Sequence, residues 1–184
     1  MTKNRKHLVS IHISQTINEF PFQPFWVAAS PLGALSVSFG ISLSDFTAAV
    51  KHRCPRAQIL FNHAPHPALD QISEYLNGDR RIFSTQLDLS RATPFQRRVY
   101  QAVMEIPFGE TRTYGQIARQ LGNPNAARAV GAANRANPLP ILIPCHRLVG
   151  SDGSLRGYGG GGGIATKARL LVLEKRTQYP EHLG

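Results

Sequence analysis

Three helix-start signals in the second half of the sequence restrict the fold more than any other feature. Thr93 and Gln96 have the spacing of a capping box, in which the two side chains satisfy the free backbone N–H groups of a helix start. Thr113 precedes a second, shorter helical pattern that Gly122 ends, and Pro124 opens a third. We therefore predict three short helices, the last two joined by a tight turn as a helix-turn-helix.

The last of these helices has an unusual composition. It is rich in alanine and carries Arg128 and Arg135, whereas most helix pairs of this kind pack simply as a helical hairpin. Small residues permit close approach to a nucleic-acid backbone and arginines supply positive charge, a combination that favours DNA. The chain has a net charge of +10, which is typical of proteins that bind polyanions. A basic protein without such a partner remains the alternative.

The first half predicts a small α/β unit. Residues 24–40 have the pattern of two strands around a Pro-Leu-Gly turn, and Ser44 or Asp45 is placed to cap a short helix after them. Residues 67–78 predict a second helix from its proline start to its glycine end, and residues 83–89 a further strand. No catalytic constellation is visible here, so we expect a supporting role.

The two cysteines, Cys54 and Cys145, lie far apart in sequence and do not suggest a disulfide framework. His63 and His66 belong to a proline-broken loop and make a weak metal case, so we predict no metal site. Cys54 is expected to be a buried core residue. No signal peptide or membrane span is visible, which predicts a soluble, cytoplasmic protein without a membrane partner.

Cys145 has a more unusual setting. An apolar segment, residues 141–144, is expected to form a buried strand that delivers the chain to Cys145, and His146 follows directly. A cysteine nucleophile needs a base, and neighbouring side chains of an extended chain point to opposite faces, so a bridging water would connect the two residues. Glu174 is the best candidate to orient His146, because the terminal helix must pack back on this segment. An inert core cysteine is the alternative reading of Cys145.

Several motifs together resemble one family. "TYGQIA", "AARAVGAANRANP", "IPCHRLVG" and "GYGGG…KARLLVLE" follow one another within residues 93–175. In this order they closely resemble the methylated-DNA–protein-cysteine methyltransferases, also called alkylguanine–DNA alkyltransferases. The first half of the chain resembles the family only in length and strand-helix character.

The resemblance implies a two-domain α+β fold. Residues 1–90 would form a ribonuclease-H-like α/β domain, and residues 91–184 a mainly helical domain with a winged helix-turn-helix and the reactive cysteine. The implied protein needs no cofactor, is a monomer, and binds double-stranded DNA that contains alkylated guanine. Its implied location is the cytoplasm in association with the nucleoid, or the nucleus of a eukaryote.

The implied activity is DNA repair by direct reversal. The alkyl group on O6 of guanine, with O4-methylthymine as a further candidate substrate, would move irreversibly to Cys145 in a single turnover. His146 would activate Cys145 through a water, Glu174 would orient His146, Asn137 would support the network, and Tyr114 would donate its hydroxyl toward guanine. Because a stacked base cannot react, it must be flipped out of the duplex.

The resemblance also implies a DNA surface and a base pocket. Arg128 would take the place of the flipped base, on a helix that enters the minor groove. The remaining implied DNA-binding residues are Ala127, Ala129, Arg135 and Thr113. The implied substrate pocket consists of Tyr158, Gly159, Gly160, Pro140 and Leu148. Five consecutive glycines, 159–163, depart from the family pattern and predict a looser lid over this pocket.

Three rival functions stay open at this point. A non-enzymatic alkyltransferase-like protein would bind damaged DNA without a reactive cysteine, which the presence of Cys145 disfavours. A regulatory helix-turn-helix protein would not require the Cys-His…Glu set or the glycine-rich loop. A cysteine hydrolase would require an oxyanion hole, and no motif marks one.

Overall fold

The computed structural model describes residues 8–14, 24–62, 66–160 and 162–178. It is a mixed α/β structure in which the strands concentrate in the first half of the chain and the helices in the second. None of the helices in these ranges is both long enough and apolar enough to span a bilayer.

A four-stranded sheet organises the first half. Its strands are β1 (Leu8–Ser14), β2 (Phe25–Ser30), β3 (Gly33–Phe39) and β4 (Gln58–Asn62), in the order β3-β2-β1-β4. The β1–β2 and β2–β3 pairs are antiparallel, and β1–β4 is parallel. The two predicted strands around the Pro-Leu-Gly turn are therefore confirmed as β2 and β3.

Two helices accompany the sheet. Helix α1 (Leu43–Arg53) begins two residues earlier than a cap at Ser44 would place it, because Ser42 is the cap and its side chain accepts the backbone N–H of Asp45 at 3.1 Å. Ser44 and Asp45 were therefore wrong as caps. Helix α2 (Pro67–Asn77) matches its prediction and ends at Gly78, whose φ of 88° lies in the left-handed region that glycine adopts without strain.

The strand predicted over residues 83–89 is wrong. The segment makes only an isolated bridge between Ala34 and Leu87. The Gln71 side chain accepts the backbone N–H groups of Ser84 and Thr85 at 2.9 and 3.2 Å, so these donors are not available to a strand ladder. The segment thus attaches α2 to the sheet edge rather than extending the sheet.

The predicted helices of the second half are confirmed. Helix α3 (Pro94–Met104) carries both hydrogen bonds of the Thr93–Gln96 capping box, and α4 (Tyr114–Gln120) has the same device at Thr113. A 3₁₀ turn at Pro124–Ala126 precedes α5 (Ala127–Arg135). Strands β5 (Arg112–Thr113) and β6 (Leu148–Val149) pair in parallel, and α6 (Gly163–Gln178) is the last described element.

The apolar segment before Cys145 is a buried turn and not the predicted strand. Ile143 donates its N–H to the carbonyl of Leu139 at 2.8 Å, and Ile141 has a φ of 74°. A β-branched residue at positive φ is strained and needs support from its surroundings. The Asn137 side chain gives that support, since it accepts the N–H of Leu139 and donates to the carbonyl of Ile143, both at 3.0 Å.

Two apolar clusters hold the structure together. The smaller lies between the sheet and α1 and includes Trp26, Phe46 and Cys54, which confirms the prediction that Cys54 is buried. The larger contains side chains from both halves, among them Tyr75 of α2 and Cys145. The two halves therefore share one core, and the cysteine of interest lies inside it.

The capping box of α3 generates a stability prediction. Thr93→Ala should lower the free energy of unfolding by about 1 kcal/mol, because an exposed cap is lost without a change in core packing. Chemical denaturation measures this. Gln101→Ala on the same helix is exposed and caps nothing, and its effect should stay within about 0.5 kcal/mol. An equal effect of the two substitutions would contradict the role of the cap.

Candidate active site

Cys145 begins a 3₁₀ turn, Cys145–Arg147, that follows the strained turn at Ile141. Its side chain is almost completely enclosed, with 2% of the residue exposed. The carbonyl of Cys145 accepts a hydrogen bond from the Asn134 side chain at 3.2 Å. The backbone at Cys145 is therefore held in place, and the enclosure of the side chain keeps the thiol away from solvent.

His146 and Glu174 form a buried pair. His146 Nε2 lies 2.7 Å from Glu174 Oε1, and both side chains are completely inaccessible to solvent. The prediction that α6 packs back on this segment and brings Glu174 to His146 is therefore confirmed by their contact. What each residue does in a reaction remains a prediction.

The Glu174 carboxylate is surrounded by donors from three segments of the chain. Tyr75 donates its hydroxyl to Oε1 at 2.6 Å, and the backbone N–H of Gly109 donates to Oε2 at 2.9 Å. Arg147 donates through Nε to both oxygens at 3.1 Å and through Nη2 to Oε1 at 2.9 Å. Burial alone would raise the pKa of the Glu174 carboxyl, but the hydrogen bonds of His146 and Arg147 and the positive charge of Arg147 lower it to about 2.

The ionised carboxylate fixes the protonation of the imidazole. Burial lowers the pKa of His146, the hydrogen bond and charge of Glu174 oppose that effect, and the charges of Arg147 and Lys167 reinforce it. The ring is thus neutral, and Nε2 carries the proton because it faces a carboxylate. Nδ1 is buried without a hydrogen-bond partner among the described atoms. A buried acceptor without a donor indicates a position for a water or a transferable proton.

The thiol of Cys145 is subject to opposing influences. Burial raises its pKa to about 11. The Asn137 side chain, the positive charge of Lys167 and the backbone N–H groups of Cys145 and His146 all act to lower it. Lys167 is itself buried, donates to the carbonyls of Leu148 and Arg156, and has its pKa lowered by burial to about 8. The site therefore holds a thiol that needs a base to react.

A basic groove of about 1100 Å³ lies beside α4 and α5. Its lining includes Thr113, Tyr114, Ala127, Arg128 and Arg135. Arg119 and Arg156 add two more positive charges to the same lining. Ala129 is exposed on α5 but lies outside the lining of the groove.

The predicted pocket residues are not part of the lining of this groove. The Tyr158 hydroxyl is buried and finds no partner among the described atoms, while Tyr114 donates to the carbonyl of Arg156 at 2.6 Å. Gly159 packs so closely on α5 that a Cβ there would collide with the carbonyl of Arg135. Gly160 lies against the Tyr158 ring, and Pro140 and Leu148 are buried.

Sequence reasoning missed four residues of this site. Arg147 was part of the Pro-Cys-His-Arg motif, and its place beside His146 was a signal for an ion pair with Glu174. Lys167 and Asn134 lay inside quoted motifs without an assigned role. Tyr75 gave no signal, because it continues the apolar face of α2 and is indistinguishable from a core residue in sequence.

Over the described ranges, no three His, Cys, Asp or Glu side chains come together as a candidate metal site. The Nδ1 atom of His66 caps α2 by accepting the N–H of Ala68 at 3.1 Å. His63 lies outside the described residues.

Comparisons with known proteins agree on one family. The family model for the DNA-binding domain of 6-O-methylguanine DNA methyltransferase matches residues 94–176. The methylated-DNA–protein-cysteine methyltransferase of Mycobacterium tuberculosis is 55% identical over 108 residues, which are 59% of this chain and 64% of that protein. The constitutive enzyme of Bacillus subtilis is 47% identical over 114 residues, 62% of this chain and 67% of that protein. The aligned segment thus spans just under two thirds of the mycobacterial relative's length.

Solved structures extend the likeness over the first half. The crystal structure of the M. tuberculosis O6-methylguanine methyltransferase superposes with a TM-score of 0.75 and 38% identity, covering 92% of this chain and 94% of that one. A crystal structure of the same mycobacterial protein in complex with DNA gives a TM-score of 0.75 and 38% identity, with 91% and 94% covered. By identity and coverage, this chain belongs to the methylated-DNA–protein-cysteine methyltransferase family.

Proposed function

We propose that this protein repairs DNA by direct reversal, moving the alkyl group from O6 of alkylated guanine in double-stranded DNA to Cys145. The observation that carries the proposal is a buried cysteine beside a bonded His146–Glu174 pair, with an arginine-lined groove along α5, the helix whose Asn134 contacts the Cys145 backbone. Relatives bearing the name of this activity, and a mycobacterial relative crystallised with DNA, support it. O4-methylthymine is a further candidate substrate.

The proposed step is an in-line displacement. The thiol proton of Cys145 passes through a water to Nδ1 of His146, and Sγ forms a bond to the alkyl carbon. The carbon–O6 bond breaks, its electron pair stays on the base, and the base takes up a proton to become guanine. The resulting thioether has no route back to a thiol, so each molecule reacts once.

The charges around His146 fit this role. Its Nε2–H is committed to an ionised Glu174, which leaves Nδ1 as the acceptor and stabilises the imidazolium that forms. Asn137 supports the strained turn and helps to lower the pKa of Cys145. We infer that Asn137 makes the thiolate easier to form and fixes where Sγ points.

We infer that the groove receives DNA. Its arginines attract phosphates, and the alanine-rich surface of α5, with Ala127 and Ala129, is narrow enough for a minor groove. Arg128 is exposed in the lining and would fill the place of the extruded base, while Arg135 and Thr113 would contact the backbone. Because Cys145 is enclosed and Asn134 donates to the carbonyls of both Cys145 and Gly157, we infer that residues 156–160 move when a base reaches Sγ.

The base pocket is proposed at Tyr158, Gly159, Gly160, Pro140 and Leu148. The partnerless hydroxyl of Tyr158 is the kind of buried group that a polar ligand satisfies. Tyr114 would exchange its hydrogen bond to Arg156 for one to the base and supply a proton to it. Because Gly159 packs closely on the Arg135 carbonyl, movement of residues 156–160 would also shift α5.

We also infer the type of each domain, the oligomeric state and the location of the protein. The four-stranded sheet with its two helices supports a ribonuclease-H-like domain over residues 1–90. The α4–α5 pair with the β5–β6 ribbon supports a winged helix-turn-helix domain over residues 91–184. We infer a monomer that works in association with the nucleoid.

The alkyl transfer predicts a permanent change in mass. Incubation with DNA containing O6-methylguanine should add one methyl group to the intact protein, because the thioether is not turned over. Cys145→Ala should abolish the gain, whereas Cys54→Ala removes the other buried cysteine and should retain it. Intact-protein mass spectrometry measures all three. A methyl gain that survives Cys145→Ala would contradict the proposal.

The proposed flipping role predicts a substrate-dependent effect of Arg128→Ala. Repair in duplex DNA should slow by at least about tenfold, because unstacking a base costs a few kcal/mol that the arginine helps to offset. Reaction with free O6-benzylguanine should be unchanged, since no base has to be extruded. Single-turnover kinetics measure both rates.

The matched control is Arg56→Ala, which removes an exposed arginine outside the groove and should leave both rates unchanged. Equal losses on duplex and free base for Arg128→Ala would argue against a role in flipping.

A further inference from the structure

Tyr75 connects the first half of the chain to the reactive centre. It lies in α2, 71 residues before His146 and 99 before Glu174. Its hydroxyl donates to Glu174 Oε1 at 2.6 Å, and the same hydroxyl oxygen is 3.2 Å from His146 Nε2. The side chain is completely buried.

We propose that Tyr75 is a positioning residue of the alkyl transfer, which sets the basicity and tautomer of His146 through the oxygen of Glu174 that they share. The proposal rests on the proposed function for its role in transfer, but the coupling of Tyr75 to His146 is measurable without it. It makes α2 part of the reactive machinery, where the sequence predicted only a support.

The geometry gives the hydroxyl no other use. A Tyr75 hydroxyl needed only for packing would be costly to bury, and a phenylalanine would fill the same space. The ring is fixed by Phe83 at 5.5 Å and by an edge-on contact to Phe108 at 6.0 Å between centroids. The His146 ring follows at 6.3 Å. Aromatic packing thus aims the hydroxyl at Glu174 without the help of a backbone group.

The Tyr75 hydroxyl changes how much negative charge on Glu174 Oε1 is available to His146. Oε1 accepts hydrogen bonds from Tyr75, His146 and Arg147 at once. Each donor partly neutralises the negative charge on this oxygen and so weakens its electrostatic interaction with the other two donors. A His146 imidazolium is stabilised by that same charge. The Tyr75 hydrogen bond therefore weakens the pull of Glu174 on an imidazolium and favours a neutral ring with Nδ1 available.

The other charged and titratable groups near His146 do not act as neutral donors to the Glu174 oxygen that His146 uses. Arg147 in the 3₁₀ turn and Lys167 of α6 act through their positive charges, and Cys145 is the proton donor itself. The backbone N–H of Gly109 binds the opposite oxygen, Oε2. Only Tyr75, among the described neighbours, contributes a neutral donor to the oxygen that His146 uses.

Tyr75→Phe keeps the ring and removes the hydroxyl. We expect the titration midpoint of the His146 ring, followed by nitrogen NMR, to rise by about 0.5–1 pH unit, the size of one buried hydrogen bond. Transfer requires unprotonated His146, so the acidic limb of the pH–rate profile should shift upward by the same amount while DNA affinity stays unchanged. Tyr100→Phe is the matched control, because Tyr100 is equally buried but donates to the carbonyl of Ala133 at 3.2 Å.

A second variant tests the opposite sign. Difluorotyrosine at position 75 keeps ring and hydroxyl but is a stronger donor, so the His146 midpoint should fall. Unchanged midpoints in both variants, or equal shifts in Tyr100→Phe, would overturn the proposal. If the wild-type protein gains no methyl group but its His146 midpoint still responds to position 75, the proposed function fails and the coupling stands.

Discussion

The buried carboxylate of Glu174 is the interaction on which the reactive centre depends. It receives donors from α2, from the loop at Gly109 and from two residues of the 3₁₀ turn, His146 and Arg147. A carboxylate placed in an apolar core is stable only when it is fully hydrogen-bonded and its charge is balanced. Arg147 provides the balance, because its guanidinium contacts both oxygens while also donating to the carbonyl of Ile106 at 2.6 Å.

This arrangement separates two electrostatic environments around one cysteine. Behind Cys145, the Glu174–Arg147 pair is neutral overall, and His146 stays uncharged with one nitrogen open. In front, the groove beside α4 and α5 is lined by arginines and faces solvent. In the proposed function, the groove would attract a polyanion, and the transfer would take place in an enclosed site where the proton has a defined acceptor. The core that the two halves share holds the buried pair and the groove in fixed positions relative to each other.

Local signals in the sequence predicted the local structure well. The capping box at Thr93, the cap at Thr113 and the glycine end of α2 identified their helices, because caps act within a few residues. The Cys145, His146 and Glu174 set was also predicted, and the last two are in contact. The turn at Ile141 was mistaken for a strand, since an apolar run does not reveal that Asn137 holds it in a strained shape. Tyr75 was missed because its partners come from distant segments, and its own helix assigns it only to the core.

The direct test of this account is a double-mutant cycle on the buried pair, using Arg147→Met, Glu174→Gln and the combined variant, with the free energy of unfolding as the measured quantity. Each single change leaves one buried group without its partner, whereas the combined change removes both. We expect a coupling energy of about 3 kcal/mol or more, because losing one partner of a desolvated pair leaves an unpaired buried charge. A coupling at or below about 0.5 kcal/mol, the size found for solvent-exposed ion pairs, would contradict it.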